Sequence, residues 1–334
     1  MARGNSLAQL ADAGLIVPLD EFIKKSDKLP RSDFHESAYG SVLDAATFRG
    51  SLWAIPMIAN PYALFCNLDL FREAGVERPP KTWEETIDAA GRMTRDTDGD
   101  GEPDVFGYSQ CSFQFPLQLL TEGVPLVDLE SKKALFHTDA GVKALDVYRK
   151  TKRYSPPHVD FEKGDMGMKV SVTTNAFGRY KHLDYITTAL PKGKRRANTY
   201  GDSDGIVGFA ISSKIDPGRR VAAWRAIENV MSEYMFFKMV EMGRMLPLRK
   251  SILAGERYAD YLEKYPVMKA FVEELDWCAP KPCIPEYRFL QVVMREILYP
   301  VQREGAMELT LEDLRKHLAE QSERVNEKLA VSDW

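Results

Sequence analysis

Segments typical of strands and of helices alternate along most of this chain. Runs of β-branched and aromatic residues predict strands near 105–109, 168–173, 186–190 and 206–211. Amphipathic segments between and after them predict helices near 139–150, 217–240, 286–304 and 311–329. This alternation is typical of α/β proteins, in which helices cover the faces of a sheet. Because 334 residues exceed what one compact core usually holds, we expect two lobes.

Capping and turn motifs mark the ends of several elements. Arg49-Gly50 lies between two short strand patterns and predicts a hairpin turn. Thr82 followed by Glu85 has the spacing of a capping box at the start of a helix. Further helix starts are predicted at Asp20, Asn67, Pro217 and Thr310.

The stretch "IPMIANPYALFCNLDLFREAG", residues 55–75, has a polar break between two apolar runs. Pro61 removes a backbone donor, so strand pairing is expected to end there. A strand that only fills a core does not need such a break. A crossing between two lobes, with a ligand in contact at the crossing point, would explain the break.

Composition argues against several classes of protein. The net charge of −4, from 49 acidic and 45 basic residues, gives no strong attraction to polyanions. The dense basic run "KGKRR" at 192–196 has no interleaved aromatic residues, so we interpret it as a solvated loop and expect no nucleic-acid partner. No apolar stretch approaches the length of a membrane span. The first ten residues lack the pattern of a secretory signal.

Cysteine spacing and known motifs give little support for metal or catalytic chemistry. The four cysteines form no CxxC motif or Cys/His cluster, which argues against structural zinc. Cys278 and Cys283 lie close together in a proline-rich loop. They are either a disulfide, if the compartment is oxidising, or two buried free thiols. GxSxG, HExxH, Walker A and GxGxxG motifs are absent, so no catalytic residue is assigned.

The acidic segment "DTDGDGEPD", residues 96–104, alternates aspartates with glycines. Asp96, Asp98, Asp100 and Asp104 have the spacing of the first part of a calcium loop. The glutamate that completes an EF-hand is replaced by Gly107. A tight acidic turn before the strand at 105–109 explains the same residues without a metal. We hold both interpretations open and expect a weak structural Ca²⁺, remote from the ligand cleft.

The order of motifs resembles the family 1 extracellular solute-binding proteins of ABC transporters, the group that contains maltose-binding protein. The segments that carry the resemblance are, in chain order, "WAIPMIANPYALFCNLDLFREAG", "PPKTWEETIDAA", "DTDGDGEPDVFGYS", "FEKGDMGMKVSVTTNAF", "ALPKG", "YGDSDGIVGFAISSK", "GRMLPLRKSIL" and "APKPCIPEY". The resemblance covers nearly the whole chain. Family members carry two or three strand–helix units before the point that matches Leu7, and those units are not in this sequence.

The resemblance implies an α/β fold of the two-lobe, type II periplasmic-binding-protein kind, hinge-linked, with lobe I incomplete at its N-terminus. Lobe I would comprise residues 1–59 and a return segment at 198–250, and lobe II residues 60–197. The C-terminal helices at 251–334 would pack mainly on lobe II. The crossing between lobes would lie at 57–61, with Asn60 facing the cleft.

Sugar recognition uses flat apolar surfaces for the ring and planar polar side chains for the hydroxyls. With the resemblance, these residue types predict a ligand site formed by Asn60, Tyr62, Gln110, Phe113, Phe115, Asn175, Phe177, Asp202, Asp204, Arg244, Trp277 and Tyr287. Trp277 is the strongest stacking candidate. The two phenylalanines at 113 and 115 could equally be core residues of the helix that begins there. The acids at 202 and 204 could serve a turn, and Arg244 could be a surface arginine.

The resemblance implies reversible capture of a sugar, an oligosaccharide or a derivative, for delivery to the permease subunits of an ABC importer. We expect a monomer that acts in the periplasm or is anchored outside the membrane, requires no cofactor and is not an enzyme. Two alternatives stay open: a carbohydrate-active enzyme with two catalytic carboxylates, and a chain that has lost ligand capture.

Overall fold

The computed structural model describes residues 1–110, 113–156, 161–173, 180–200, 206–243, 246–303 and 305–333. Within these ranges the strands are β1 Ala2–Arg3, β2 Ile16–Val17, β3 Glu36–Ser37, β4 Gly40–Ser41, β5 Thr47–Phe48, β6 Ser51–Leu52, β7 Ile55–Ile58, β8 Tyr62–Asn67, β9 Phe106–Ser109, β10 Val127–Asp128, β11 Lys133–Ala134, β12 Met166–Val172, β13 Tyr185–Thr188, β14 Asn198–Thr199, β15 Val207–Phe209, β16 Ile211–Ser212 and β17 Cys278–Ala279. The helices are α1 Gly4–Asp12, α2 Asp20–Lys24, α3 Leu68–Glu73, α4 Trp83–Met93, α5 Gln114–Thr121, α6 Asp139–Lys152, α7 Pro217–Val230, α8 Glu233–Gly243, α9 Lys250–Leu253, α10 Glu256–Lys264, α11 Lys269–Leu275, α12 Tyr287–Leu298 and α13 Leu311–Ala330.

Lobe I contains a three-stranded antiparallel sheet in the order β1-β15-β7. The short pair β2-β16 lies in the same lobe. Helix α7 packs here through Trp224, whose ring stacks on Phe22 of α2 with 5.6 Å between centroids. The core of this lobe therefore joins the beginning of the chain to the segment after residue 206, which are far apart in sequence.

Lobe II contains a four-stranded mixed sheet in the order β13-β8-β12-β9. Strand β8 is antiparallel to β12 and β13, whereas β12 is parallel to β9. Every residue of β8 is buried because both faces of the sheet are covered. Leu64 lies in the cluster with Trp83 of α4, and Phe65 packs on Phe271 of α11 with 6.0 Å between ring centroids.

The chain crosses between the two sheets where the polar break at 59–61 predicts it. Strand β7 pairs in the first sheet and β8 in the second, so the Asn-Pro dipeptide stands between them. Strand β14 leads from lobe II back to lobe I and pairs in parallel with β17. The two-lobe, hinge-linked fold expected from the sequence is confirmed.

The helices after residue 250 divide between the two lobes. Tyr258 and Tyr261 of α10 pack against Phe237 of α8, and α11 covers the second sheet. Helices α12 and α13 pack with α6 around a separate cluster in lobe II. The exact lobe boundaries stay a prediction.

Most helix ends lie where the capping motifs place them. Asn67, Thr82 and Thr310 are N-caps whose side chains accept backbone N–H groups, and Pro217 lies in the first turn of its helix. Arg49 and Gly50 both have positive φ, as a tight hairpin turn requires.

Three predicted helix details are wrong. Leu19 rather than Asp20 is the N-cap of α2, and Asp20 accepts the N–H of Leu52 instead. The helix predicted at 217–240 is two helices, because a turn at Met231 and Ser232 separates α7 from α8. Helix α12 ends at Leu298 because Pro300 begins a separate 3-10 turn.

Candidate functional site

A cavity of about 380 Å³ lies between the lobes and is lined by residues from both. Lobe I contributes Asp44 and Thr47, which lie in and just after the 3-10 turn Val42–Ala46. Tyr62 and Thr199 line it at the two crossing strands β8 and β14. The remaining wall comes from α5, the loop after it, the proline-rich loop at 279–283 and α12. This volume is near the lower end of the range of ligand pockets, about 300–1,000 Å³.

An aromatic pair forms one side of the cavity at the crossing. The rings of Tyr62 and Phe113 stack with 4.8 Å between centroids and an interplanar angle of 23°. Tyr62 is the first residue of β8, and Phe113 immediately precedes α5. A broad aromatic face of this kind suits the C–H face of a sugar ring.

One face of α12 forms another side of the cavity. Tyr287, Gln291, Met294 and Arg295 line it, and the spacing of four, three and one places them on one helix face. Gln291 offers an amide and Arg295 a planar guanidinium, both of which can form hydrogen bonds with hydroxyl groups.

A buried polar network lies beside the crossing strands. Glu274 of α11 is fully buried and accepts hydrogen bonds from Asn198 at 2.6 Å and from Arg196 at 2.8 and 3.0 Å. Burial raises the pKa of the Glu274 carboxyl, against the opposing effect of the Arg196 guanidinium. The network ties α11 of lobe II to β14 at the crossing.

The described candidates for ligand contact divide into two groups. Tyr62, Phe113 and Tyr287 line the cavity. The other four, Asn60, Gln110, Phe115 and Trp277, are not among its lining residues.

Each of those four is placed by its own local contacts. Gln110 donates to the carbonyl of Tyr148 and accepts from Thr151. Phe115 is fully buried in the α5–α12 core. The guanidinium of Arg196 lies 5.3 Å from the centroid of the Trp277 ring. Asn60 is buried at the crossing, and its Oδ1 has no hydrogen-bond partner among the described residues. Which residues contact a ligand stays a prediction.

The other candidates, Asn175, Phe177, Asp202, Asp204 and Arg244, lie outside the described residues. The structure also adds cavity residues that the sequence analysis missed. They are Asp44, Thr47, Thr199, Gln291, Met294 and Arg295, with the apolar loop at 125–129. The periodic spacing from Tyr287 to Arg295 was the available signal for the α12 residues, since it places them on the same helix face as Tyr287.

The acidic loop brings three of its four aspartates together. One carboxylate oxygen each from Asp96, Asp98 and Asp104 lies within 4.8 Å of the others. Asp96 accepts the N–H groups of Gly99 and Gly101, which lower its pKa. The fourth, Asp100, accepts the N–H of Glu102 and is not part of this group. The loop geometry is that of a hydrogen-bonded turn, and a bound cation stays a prediction.

Of the two alternatives for Cys278 and Cys283, the structure has free thiols. Both are buried, and burial raises the pKa of Cys283 to about 12. Cys283 lines the cavity, whereas Cys278 lies in β17.

No helix in the described ranges is long and apolar enough to span a membrane. In sequence, the chain is 22% identical over 307 residues to a Brucella abortus protein named only as a binding protein, a match that covers 86% of this chain and 68% of the relative.

Two solved structures have similar folds. The sugar-binding protein MalE from Xanthomonas citri is 20% identical, with a TM-score of 0.79 over 98% of this chain and 82% of that one. The cyclic alpha-maltosyl-1,6-maltose binding protein from Arthrobacter globiformis is also 20% identical, with a TM-score of 0.79 over 98% of this chain and 84% of that one. Residues 3–233 match the family described as bacterial extracellular solute-binding protein, and the chain belongs to that family.

Proposed function

We propose that this chain is the solute-binding component of an ABC importer and that it captures a sugar reversibly in the cavity between its lobes. The observation that carries the proposal is the Tyr62–Phe113 stack, which presents an aromatic face to the cavity at the hinge. Thr199 and Asp44 on the crossing and lobe I sides supply polar atoms that suit hydroxyl groups. Both similar solved structures are named as sugar-binding or maltose-type proteins, which supports the same ligand class.

The cavity size favours a ligand of one or two sugar rings, or a derivative of that size. Closure of the hinge around the bound ligand would distinguish loaded from empty protein, and the loaded form would deliver the sugar to permease subunits. We infer that the chain acts as a monomer outside the cytoplasm, in the periplasm or attached to the outer face of a membrane.

Capture without turnover is the activity that the cavity supports. Glycoside hydrolysis requires a pair of carboxylates on either side of the scissile bond. Among the described residues that line the cavity, Asp44 supplies the carboxylate, and its Oδ2 accepts the N–H of Ser41 in the cap of its own turn. This arrangement suits orientation of a hydroxyl group better than proton transfer.

The test is a thermal-shift screen of mono- and disaccharides, with polyols, amino acids and phosphate esters as comparison solutes. A ligand that binds the folded state at 100 times its Kd adds about 2.7 kcal/mol to the free energy of unfolding, so the melting temperature must rise. We expect a shift with at least one sugar, and no product when the bound sugar is analysed after incubation. A shift with a non-sugar solute alone would overturn the ligand class, and sugar turnover would overturn capture without catalysis.

A further inference from the structure

We propose that the ligand of the cavity is a saccharide with an apolar substituent, an alkyl or aryl glycoside rather than a free sugar. The inference rests on the proposed function, since it takes the sugar-binding cavity as given. It concerns the end of the cavity that lies away from the crossing strands. There the wall is formed mainly by apolar side chains, and Arg295, which follows Met294 on α12, supplies one guanidinium.

Helix α5 presents a stripe that changes character along its length. Phe113, Pro116 and Leu120 line the cavity and are each half-buried. The residues that lie between these three are buried in the lobe II core: Gln114, Phe115, Leu117, Gln118 and Leu119. At a rise of about 1.5 Å per residue, Leu120 lies about 10 Å beyond Phe113 along the helix. The stripe therefore runs from an aromatic ring to an aliphatic side chain.

Helix α12 repeats this order. Tyr287 lies at its first position and also borders a small adjoining cavity with Ala45 and Tyr200, near lobe I. Met294 lies two turns further along the same face. Since Phe113 stacks on Tyr62 at the crossing, both stripes begin near the crossing and end away from it. Leu120 and Met294 mark the far end.

The loop after α5 completes the far wall. Pro125, Leu126, Val127 and Leu129 all line the cavity, and Val127 belongs to β10. Leu129 is 43% exposed and Pro125 is exposed as well, so apolar surface of this segment is accessible to a ligand. These residues all belong to one short segment of lobe II, so their proximity does not depend on the angle between the lobes.

An aliphatic wall is a poor partner for a free sugar. Hydroxyl groups placed against it would lose their hydrogen bonds to water without replacement. An alkyl or aryl group placed there would instead be removed from contact with water. The affinity should then rise about fourfold for each methylene buried. The aromatic and polar end would hold the sugar ring while the aliphatic end holds the substituent.

The experiment measures the affinity of methyl, butyl and hexyl glycosides of glucose, galactose and mannose by calorimetry, below their micelle-forming concentrations. We expect the affinity to increase along at least one series by about fourfold per methylene. 1-Hexanol, which carries the apolar group alone, is expected to bind at least tenfold more weakly than the hexyl glycoside.

Two methionine variants locate the effect. Met294→Gln should reduce the gain in affinity per methylene, because an amide replaces the thioether in the far wall. Met307→Gln is the matched control, since Met307 is 48% exposed and does not line the cavity. The Met307→Gln variant should show the same gain in affinity per methylene as the unchanged protein.

The outcomes separate this inference from the function on which it rests. Free sugars that bind as tightly as their hexyl glycosides would overturn the inference and leave sugar capture standing. Equal affinities for 1-hexanol and the hexyl glycoside would overturn it as well. So would an identical gain in affinity per methylene in the two methionine variants. Failure of every free sugar and glycoside to bind, with binding of a non-sugar solute, would overturn the proposed function itself.

Discussion

The side-chain amide of Asn198 forms hydrogen bonds with both backbone groups of Tyr62. Its Nδ2 donates to the carbonyl oxygen at 2.8 Å, and its Oδ1 accepts the N–H at 3.2 Å. A neighbouring strand would satisfy a buried backbone in the same way, so the amide takes the place of a strand at the start of β8. Nδ2 also donates to the buried carboxylate of Glu274 at 2.6 Å. One side chain thus connects two crossing strands, a lobe II helix and the residue whose ring lines the cavity.

Asn198→Ala should lower the free energy of unfolding by about 2–3 kcal/mol. The substitution removes the hydrogen bonds of Asn198 to the N–H and carbonyl of Tyr62 and to Oε2 of Glu274, and each buried group that is left unsatisfied costs about 1–3 kcal/mol. Urea unfolding measures the loss. Asn229→Ala is the control because Asn229 is exposed on α7 and should change stability by no more than about 0.5 kcal/mol. Equal unfolding midpoints for the two variants would contradict the role of the amide.

Glu274→Gln should change how stability depends on pH. Since burial raises the pKa of Glu274 in the folded state above its ordinary 4.5, the folded protein holds this proton more tightly than the unfolded chain. The group therefore stabilises the fold fully below pH 4.5, and that contribution is lost as pH rises through the folded-state pKa.

The measurement is the free energy of unfolding of both proteins at a series of pH values from 4 upward, about one unit apart. The stability of Glu274→Gln relative to the unchanged protein should increase with pH across the window and then level off. Glu273→Gln, at the exposed neighbouring position, should give a curve parallel to that of the unchanged protein. A parallel curve for Glu274→Gln too would show that the carboxyl titrates alike in both states.

Phe113→Ala and Phe115→Ala should separate binding from stability. Phe115 is fully buried, so its truncation should cost about 3–5 kcal/mol in urea unfolding. Phe113 is half-buried and stacks on Tyr62 beside the cavity, so its truncation should cost less but weaken the thermal shift produced by a sugar. Each variant is the control for the other. The assignment is wrong if Phe113→Ala keeps the full ligand shift.

The acidic loop allows a direct test of calcium binding. We expect the melting temperature in CaCl₂ to exceed that in EDTA, because a cation would relieve repulsion among the carboxylates of Asp96, Asp98 and Asp104. Asp98→Ala should remove the difference. Asp100→Ala should keep it, since Asp100 accepts a similar turn hydrogen bond but lies outside the converging group. If calcium and EDTA give the same melting temperature and Asp98→Ala melts like the unchanged protein, the loop is a plain turn.

Local features of this protein were predictable because short segments carry their own physical cause. Thr310 caps α13 through the N–H of Asp313, three residues away, and Arg49-Gly50 forms the hairpin turn it predicts. The crossing was predicted at 57–61, and the structure has it at 59–61, because Met57 and Ile58 still belong to β7. Its position was predictable since proline cannot continue a paired strand. The ordered set of motifs was sufficient to predict the family and the two-lobe fold.

The cavity was less predictable, because its walls come from segments that sequence distance does not connect. Nothing local in the sequence shows that Phe113 faces the cavity while Phe115 enters the core. Both lie at the start of the same helix, and only the packing of α5 decides which of the two is buried. Trp277 had the best residue type for stacking, yet the structure places it beside Arg196 rather than among the cavity residues.

The sequence by itself determined most of the helix starts, the hairpin turn, the crossing and the family, since each depends on neighbouring residues or on the order of motifs. Only the tertiary structure decided which side chains line the cavity and that Asn198 joins Tyr62 to Glu274. The contacts of Asn198 join residues that lie 136 and 76 positions away in the chain, so only the folding of the whole chain brings them together.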